Sequence, residues 1–306
     1  MTNFHRPAVA ALAAILIGAV VHGAQGAAKP AFDSGRAYEH LTHIVSFGPR
    51  PPGSPALEST RKYIREELGK LKVQVRDQAF DAATPVGKIR MVNLIATIPG
   101  RRPERIIFGG HYDTKLYREF RFVGANDAGS STAFLLELAR VLVNRQNPFT
   151  VEIVFFDGEE ALRPEWAGTD HTYGSRHYVE SARSDKTLKT IAAMILVDMI
   201  ADRDLNIYRE SASTPWLTDL VWSAAKRLGL QTYFLDQSTP IEDDHVAFLD
   251  AGVPAVNIID LDYRPWHTSG DTLDKVSARS MQAVGDVLLE ALPAIEKRLA
   301  APAGRD

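Results

Sequence analysis

Two adjacent carboxylates, Glu159 and Glu160, stand directly after a short apolar run and an Asp157-Gly158 turn in the stretch TVEIVFFDGEEA. Residues 150–156 are rich in β-branched and aromatic side chains and end on a turn signal, which predicts a strand buried in a sheet. The turn would lift both glutamates out at the carboxyl end of that strand, where open α/β sheets bind their ligands. Like charges so placed repel, and a cation between them is the natural counterpart. Other acids and histidines fall at comparable places along the chain. Residues 105–108 run into GGHYD, with His111 and Asp113, and the GANDAGSS turn holds Asp127. Asp198 closes residues 191–197, Asp243, Asp244 and His245 precede a short helix, and His267 follows residues 253–259. Each alone reads equally as a solvated acid or a hydrogen-bonded structural histidine. Gathered on one rim of a sheet, they offer the donors that hard and borderline divalent metals take. The chain has no cysteine, so any metal must use His, Asp and Glu. Three such ligands with one position left open is the pattern of a catalytic zinc.

The elements that must carry these residues follow from periodicity. Ala37, Leu41, Ile44 and Val45 recur at helical spacing over residues 33–47, and the GPRPPGSP loop cannot continue that helix. Residues 59–71 restart one, with Tyr63, Ile64 and Leu68 on its apolar face. Residues 73–80 alternate as an edge strand, while residues 91–98 and 105–108 are strands parted by PGRRP. A buried helix over residues 131–142, the strand over 150–156 and a second apolar strand over 191–197 come next. A helix over 215–228, a strand over 253–259 and an amphipathic helix over 278–299 complete the chain. This alternation predicts an α/β fold in a single domain, with a mixed, mostly parallel central sheet and helices on both faces.

Composition sets the outer limits. With 306 residues, 45% hydrophobic and 24% charged, the chain can bury one large core. A formal charge of −3 offers no basic face to nucleic acid or to an anionic membrane. Absence of cysteine excludes thiol catalysis and zinc ribbons, and leaves stability to the core alone. The opening differs from the rest: Arg6, an apolar run over residues 8–21 and small residues from Gly23 to Ala28 predict a secretory signal peptide, cut near Gly26. The apolar run is short for a membrane span. Residues 1–26 are thus expected to be removed, leaving residues 27–306 as an exported catalytic domain, periplasmic or secreted.

The motifs HYDTK, GANDAGSS, FFDGEEA, TYGSRH, LVDMI, DDHVAFL and WHTSGDT follow one another across residues 37–299. Together they resemble the zinc-dependent M28 peptidase-like family, which contains aminopeptidases and glutaminyl-peptide cyclotransferases. The resemblance implies that Asp127, Glu160 and His267 hold zinc and that Glu159 is the general acid/base. It implies that His111 and Asp198 hold a second metal in the aminopeptidase branch, with Asp127 bridging. In animal-type cyclases the matching positions stay metal-free, and Asp198 with Asp243 would join an acidic proton network. Asp113 resembles the carboxylate that orients a ligand imidazole.

Residues around the ligands separate the two branches. Trp266 directly before His267, the run from Ile241 to His245 with Phe248, and Trp166 ahead of TYGSRH all resemble cyclases. Trp266, Trp166 and Tyr263 are then expected to wall a small substrate pocket, with Glu242 beside it. Glu242 itself departs from the glutamine usual in cyclases, and the SGDT tail reads more like an aminopeptidase. The resemblance therefore implies one zinc and cyclisation of an N-terminal glutamine of peptides or proteins to pyroglutamate, with release of ammonia. The alternative is a two-zinc M28 aminopeptidase, and behind it a non-catalytic peptide-binding exported domain.

Overall fold

In the computed structural model, which describes residues 1–2 and 31–301, eight strands follow one another along the chain. They are β1 (Gln74–Thr84), β2 (Gly87–Ile98), β3 (Arg102–His111), β4 (Phe149–Phe156), β5 (Ile191–Asp198), β6 (Ile207–Glu210), β7 (Phe234–Thr239) and β8 (Ala255–Ile259). The leader read over residues 1–26 lies outside the described residues apart from Met1 and Thr2. Six strands form the central sheet in the order β1-β2-β4-β3-β5-β8, while β6 and β7 pair separately. From β4 to β8 the neighbours are parallel, and β1 and β2 add an antiparallel edge. The sheet is mixed and mostly parallel, as the alternation of elements predicts.

Both faces are covered. The helices are α1 (Ser34–Ser46), α2 (Pro55–Lys70), α3 (Gly129–Val143), α4 (Tyr173–Ser184), α5 (Pro215–Arg227), α6 (His245–Asp250) and α7 (Ala278–Ala300). Val151, Ile153 and Phe155 of β4 enter one core with α1, α2, α3, α5 and α7, whereas Val154 and Phe156 meet α4 and α6 on the other face. That two-sided burial explains why β4 reads as a continuous apolar run rather than an alternating one. Its one charged residue, Glu152, is buried but paired with Arg105 at 3.1 Å and with the Tyr178 hydroxyl, as a buried carboxylate must be.

Four elements depart from the expectations. The second helix begins at Pro55 rather than residue 59, because Ser54 caps it and proline suits its first turn. Residues 173–184 form α4, although its buried side chains, among them Tyr178, Val179 and Ala182, are scattered among polar residues. The strands β6 and β7 are short, and most of β7 is not buried; mutual pairing, not composition, makes them strands.

After β3 the chain places β4 on one side of it, and after β4 it places β5 on the other. Such a reversal opens a crevice at the carboxyl ends of the strands. Gly110 lets α3 close down on this point, since a Cβ there would lie 2.8 Å from Val197 O and 2.9 Å from Ser131 Cβ.

Candidate active site

The turn before α3 is held from three sides. Backbone N–H groups of Asn126 and Asp127 donate to the Asp271 carboxylate at 2.8 and 3.1 Å. The Asn126 side chain bonds Met199 O and Ala201 N, at 3.2 and 2.9 Å, tying the turn to the end of β5. The buried Arg50 guanidinium donates to Val123 O and Gly124 O at 2.7 and 3.0 Å. Gly124 has φ +53, and a Cβ there would fall 1.9 Å from Asp127 O, so the tight turn admits only glycine.

So fixed, the Asp127 carboxylate looks two ways. Its Oδ1 lies 3.2 Å from His111 Nε2, and its Oδ2 lies 3.4 Å from His267 Nε2. His267 Nε2 is also 3.1 Å from Glu160 Oε1, and His111 Nε2 is 3.2 Å from Asp198 Oδ1. Two trios result, His111–Asp127–Asp198 and Asp127–Glu160–His267, each with its ligand atoms within 4.8 Å of one another. Asp113 organises the glutamate pair: the N–H groups of Glu159 and Glu160 donate to its two oxygens at 3.2 and 3.3 Å. Its Oδ1 also lies 3.5 Å from His111 Nδ1.

These residues fit a divalent cation. Glu160 Oε2 is buried without a hydrogen-bond partner, and Lys115 Nζ stands off at 3.8 Å. Burial first, then the neighbouring Asp127, raises the Glu160 carboxyl above its ordinary value. Burial raises Glu159 well above the usual range, helped by Glu160 and Asp243 and opposed by His111. Asp198 is pushed up to about 7, mainly by burial. Against its own burial, His267 is pushed up to about 10 by its bonds to Asp127 and Glu160. Crowded acids that hold protons, around imidazoles that gain them, mark a site whose charge balance calls for a bound cation.

Above the carboxylates lies a cavity of about 390 Å³. Asp127, Glu159, Glu160, Asp198, Asp243 and His267 all line it, and Trp166, Trp266, Ile241, Ile259 and Leu261 supply apolar walls. Glu242 lines it too. His111 does not, being only 1% exposed.

Tyr263 corrects an expectation. It is 3% exposed and is no wall of the cavity; its hydroxyl donates to Asp271 Oδ1 at 2.7 Å, beneath the Asp127 turn. Sequence reasoning also passed over Asp271, Arg50 and Lys115. Nζ of Lys115 donates to Ala161 O and Arg163 O at 3.1 and 3.2 Å, bracing the chain just past Glu160. Tyr117 and Phe122 were likewise passed over; their rings flank His267 edge-on at 6.0 and 5.9 Å, and Trp266 stacks on it at 4.3 Å. Asp271 and Lys115 had a signal, their places in the WHTSGDT and HYDTK motifs.

Because Tyr263 acts through Asp271, Tyr263→Phe should cost about 1 kcal/mol of stability and weaken metal binding by about tenfold. Thermal melts and competition with a chelator measure the two effects separately.

Residues 93–292 match the model of peptidase family M28. A glutaminyl-peptide cyclotransferase-like protein of Bos taurus is 32% identical over 253 residues, covering 73% of this chain and 66% of the relative. This chain thus spans just under two thirds of that relative's length. The glutaminyl-peptide cyclotransferase of Dictyostelium discoideum is 26% identical over 296 residues, or 80% of this chain and 81% of the relative. Among solved structures, an Acidobacteriales bacterium glutaminyl cyclase is similar with TM-score 0.85 and 39% identity, over 90% of this chain and 98% of that one. A leucine aminopeptidase precursor from Bacteroides thetaiotaomicron is similar with TM-score 0.79 and 26% identity, over 86% and 98%.

Proposed function

The chain belongs to peptidase family M28, and from that membership we propose that it is a glutaminyl-peptide cyclotransferase using one zinc ion. Its substrates are peptides or proteins with an N-terminal glutamine. One observation carries the reading. Asp127, Glu160 and His267 all open onto the cavity together with Glu159, whereas His111 of the other trio is sealed beneath it. A cation held by the first trio would therefore face the cavity, where a substrate group could reach it.

Asp127, Glu160 and His267 would hold the zinc ion, which would supply Lewis-acid polarisation for the glutamine side-chain carbonyl. The walls, Trp166, Trp266 and Ile241 among them, fold the substrate side chain back against its own α-amine, which supplies the proximity term. The amine nitrogen bonds the side-chain carbonyl carbon, and the bond from that carbon to the amide nitrogen breaks. Glu159 takes a proton from the attacking amine and passes it to the departing ammonia. Asp198 beside His111 at 3.2 Å, and Asp243 held by Asn257 Nδ2 at 2.8 Å, form an acidic wall that keeps this proton within reach. The product is an N-terminal pyroglutamate. An exported enzyme with its leader cut near Gly26 is part of the same proposal; among the described residues no helix is long and apolar enough to cross a membrane.

The second trio favours one other reading, a two-zinc aminopeptidase with ions on both sides of Asp127. Two measurements on the purified protein separate them. Cyclisation predicts ammonia from a Gln-peptide with close to one zinc per chain. Free leucine from a Leu-peptide, with two ions per chain and no ammonia, would establish the peptidase instead.

A further inference from the structure

Glu242 takes no part in the ring closure, yet it is held in place at the mouth of the cavity. Its side chain is 58% exposed, while the next residue, Asp243, is 3% exposed at the base. An exposed glutamate ordinarily samples many rotamers and loses that freedom when it grips a partner. Here the Trp166 Nε1–H donates to Glu242 Oε2 at 3.2 Å, and His171 Nε2 lies 3.7 Å from Oε1. The Trp166 ring in turn stacks on His171, with centroids 4.2 Å apart and planes 16° from parallel. The carboxylate is thus aimed before any ligand arrives.

Its charge is also left over. No lysine or arginine pairs with Glu242 among the described residues, and burial pushes the His171 imidazole below its ordinary value, towards the neutral form. Lys115 faces Glu160 and two carbonyls instead. Arg163 and Arg264 are exposed on flanking loops and do not line the cavity. A cation bound at the base would offset the acids there, leaving Glu242 as a fixed negative charge on the rim. On that same rim Trp266, 42% exposed, offers an aromatic face suited to a cationic head or an aliphatic stem.

Resting on the cyclase reading, we propose that Glu242 is a specificity determinant that favours peptides with lysine or arginine directly after the N-terminal glutamine. With the glutamine side chain at the base, the following residue must emerge at the mouth, about 3.8 Å further along the chain between Cα atoms. A pair at this exposure is modest in strength but, with a carboxylate already oriented, it is not lost to rotamer freedom.

The test compares kcat/KM for ammonia release from three otherwise identical peptides with Lys, Leu or Glu after Gln. The expected order is Lys, Leu, Glu, with about a fivefold step between neighbours, compressed in about 0.5 M NaCl by screening. E242Q should flatten the order and E242K should invert it. Equal turnover of the three peptides by the wild type would overturn the inference while leaving the cyclase reading intact. So would an equal loss on all three in E242Q, the mark of a grip on the substrate's own α-amine. No ammonia from any peptide would overturn the cyclase reading, and the inference with it.

Discussion

Glu159→Gln should lower kcat for a Gln-peptide by about 10²- to 10⁴-fold, with zinc content and thermal stability close to wild type. Glu159 is outside the Asp127–Glu160–His267 trio, and its backbone N–H is fixed to Asp113 Oδ1 at 3.2 Å. Glutamine keeps that backbone bond and nearly the same volume, and loses only the ability to carry a proton. The environment suits a proton carrier. Burial raises the Glu159 carboxyl well above its ordinary value, Glu160 and Asp243 add to this, and His111 Nδ1 at 3.7 Å opposes it. A carboxyl so tuned exchanges protons nearer neutrality than an exposed one would. Ammonia release and metal analysis on the same preparation check the prediction. Turnover near the wild-type rate would remove Glu159 from the proton path.

His267→Ala should lose metal and activity together. Even partners that only support metal ligands cost about 10- to 100-fold in affinity when removed, so a ligand itself should cost at least about 100-fold. The change also leaves Glu160 Oε1 and Asp127 Oδ2 without the imidazole that lies 3.1 and 3.4 Å from them. Two buried carboxylates would then face each other with less positive charge between them, which destabilises the charged pair. The backbone gains nothing from alanine, because residue 267 sits at φ +54, a region unfavourable to any side chain with a Cβ. The measurements are zinc per chain after dialysis and ammonia release with and without added zinc. Full metal retention with lost turnover would place His267 in substrate binding rather than in the metal site.

These two variants separate the proposed proton carrier from the proposed metal site. Glu159 and Glu160 are adjacent, yet Glu160 belongs to the Asp127–Glu160–His267 trio and Glu159 does not. The alternation arises at the turn after β4, where Asp113 accepts both N–H groups and the two side chains diverge.

Residue type and place on a strand end made the acids and histidines of the site legible before any coordinates. A long apolar run such as that of β4 announces burial on two faces, and a turn after it announces where the next polar residues must emerge. Motif order over most of the chain pointed to the family for a related reason: HYDTK, FFDGEEA and LVDMI mark strand ends, while GANDAGSS, TYGSRH and DDHVAFL lead into helices. Tyr263 shows where such reading fails. The resemblance implies a pocket wall there, but the chain turns the ring inward to Asp271.

By itself, the sequence determined the α/β alternation, the mostly parallel sheet and the set of His, Asp and Glu residues available to a metal, because hydrophobic period and residue chemistry are local properties. Only the tertiary structure decided which of them share an atom's neighbourhood and which face the cavity. Asp271 reaches the N–H of Asp127 across 144 positions, and Trp166 reaches Glu242 across 76. Contacts at that separation leave no period or composition to read. They exist because β3, β4, β5 and β8 end on one edge of the same sheet, and the loops that follow have no other place to pack.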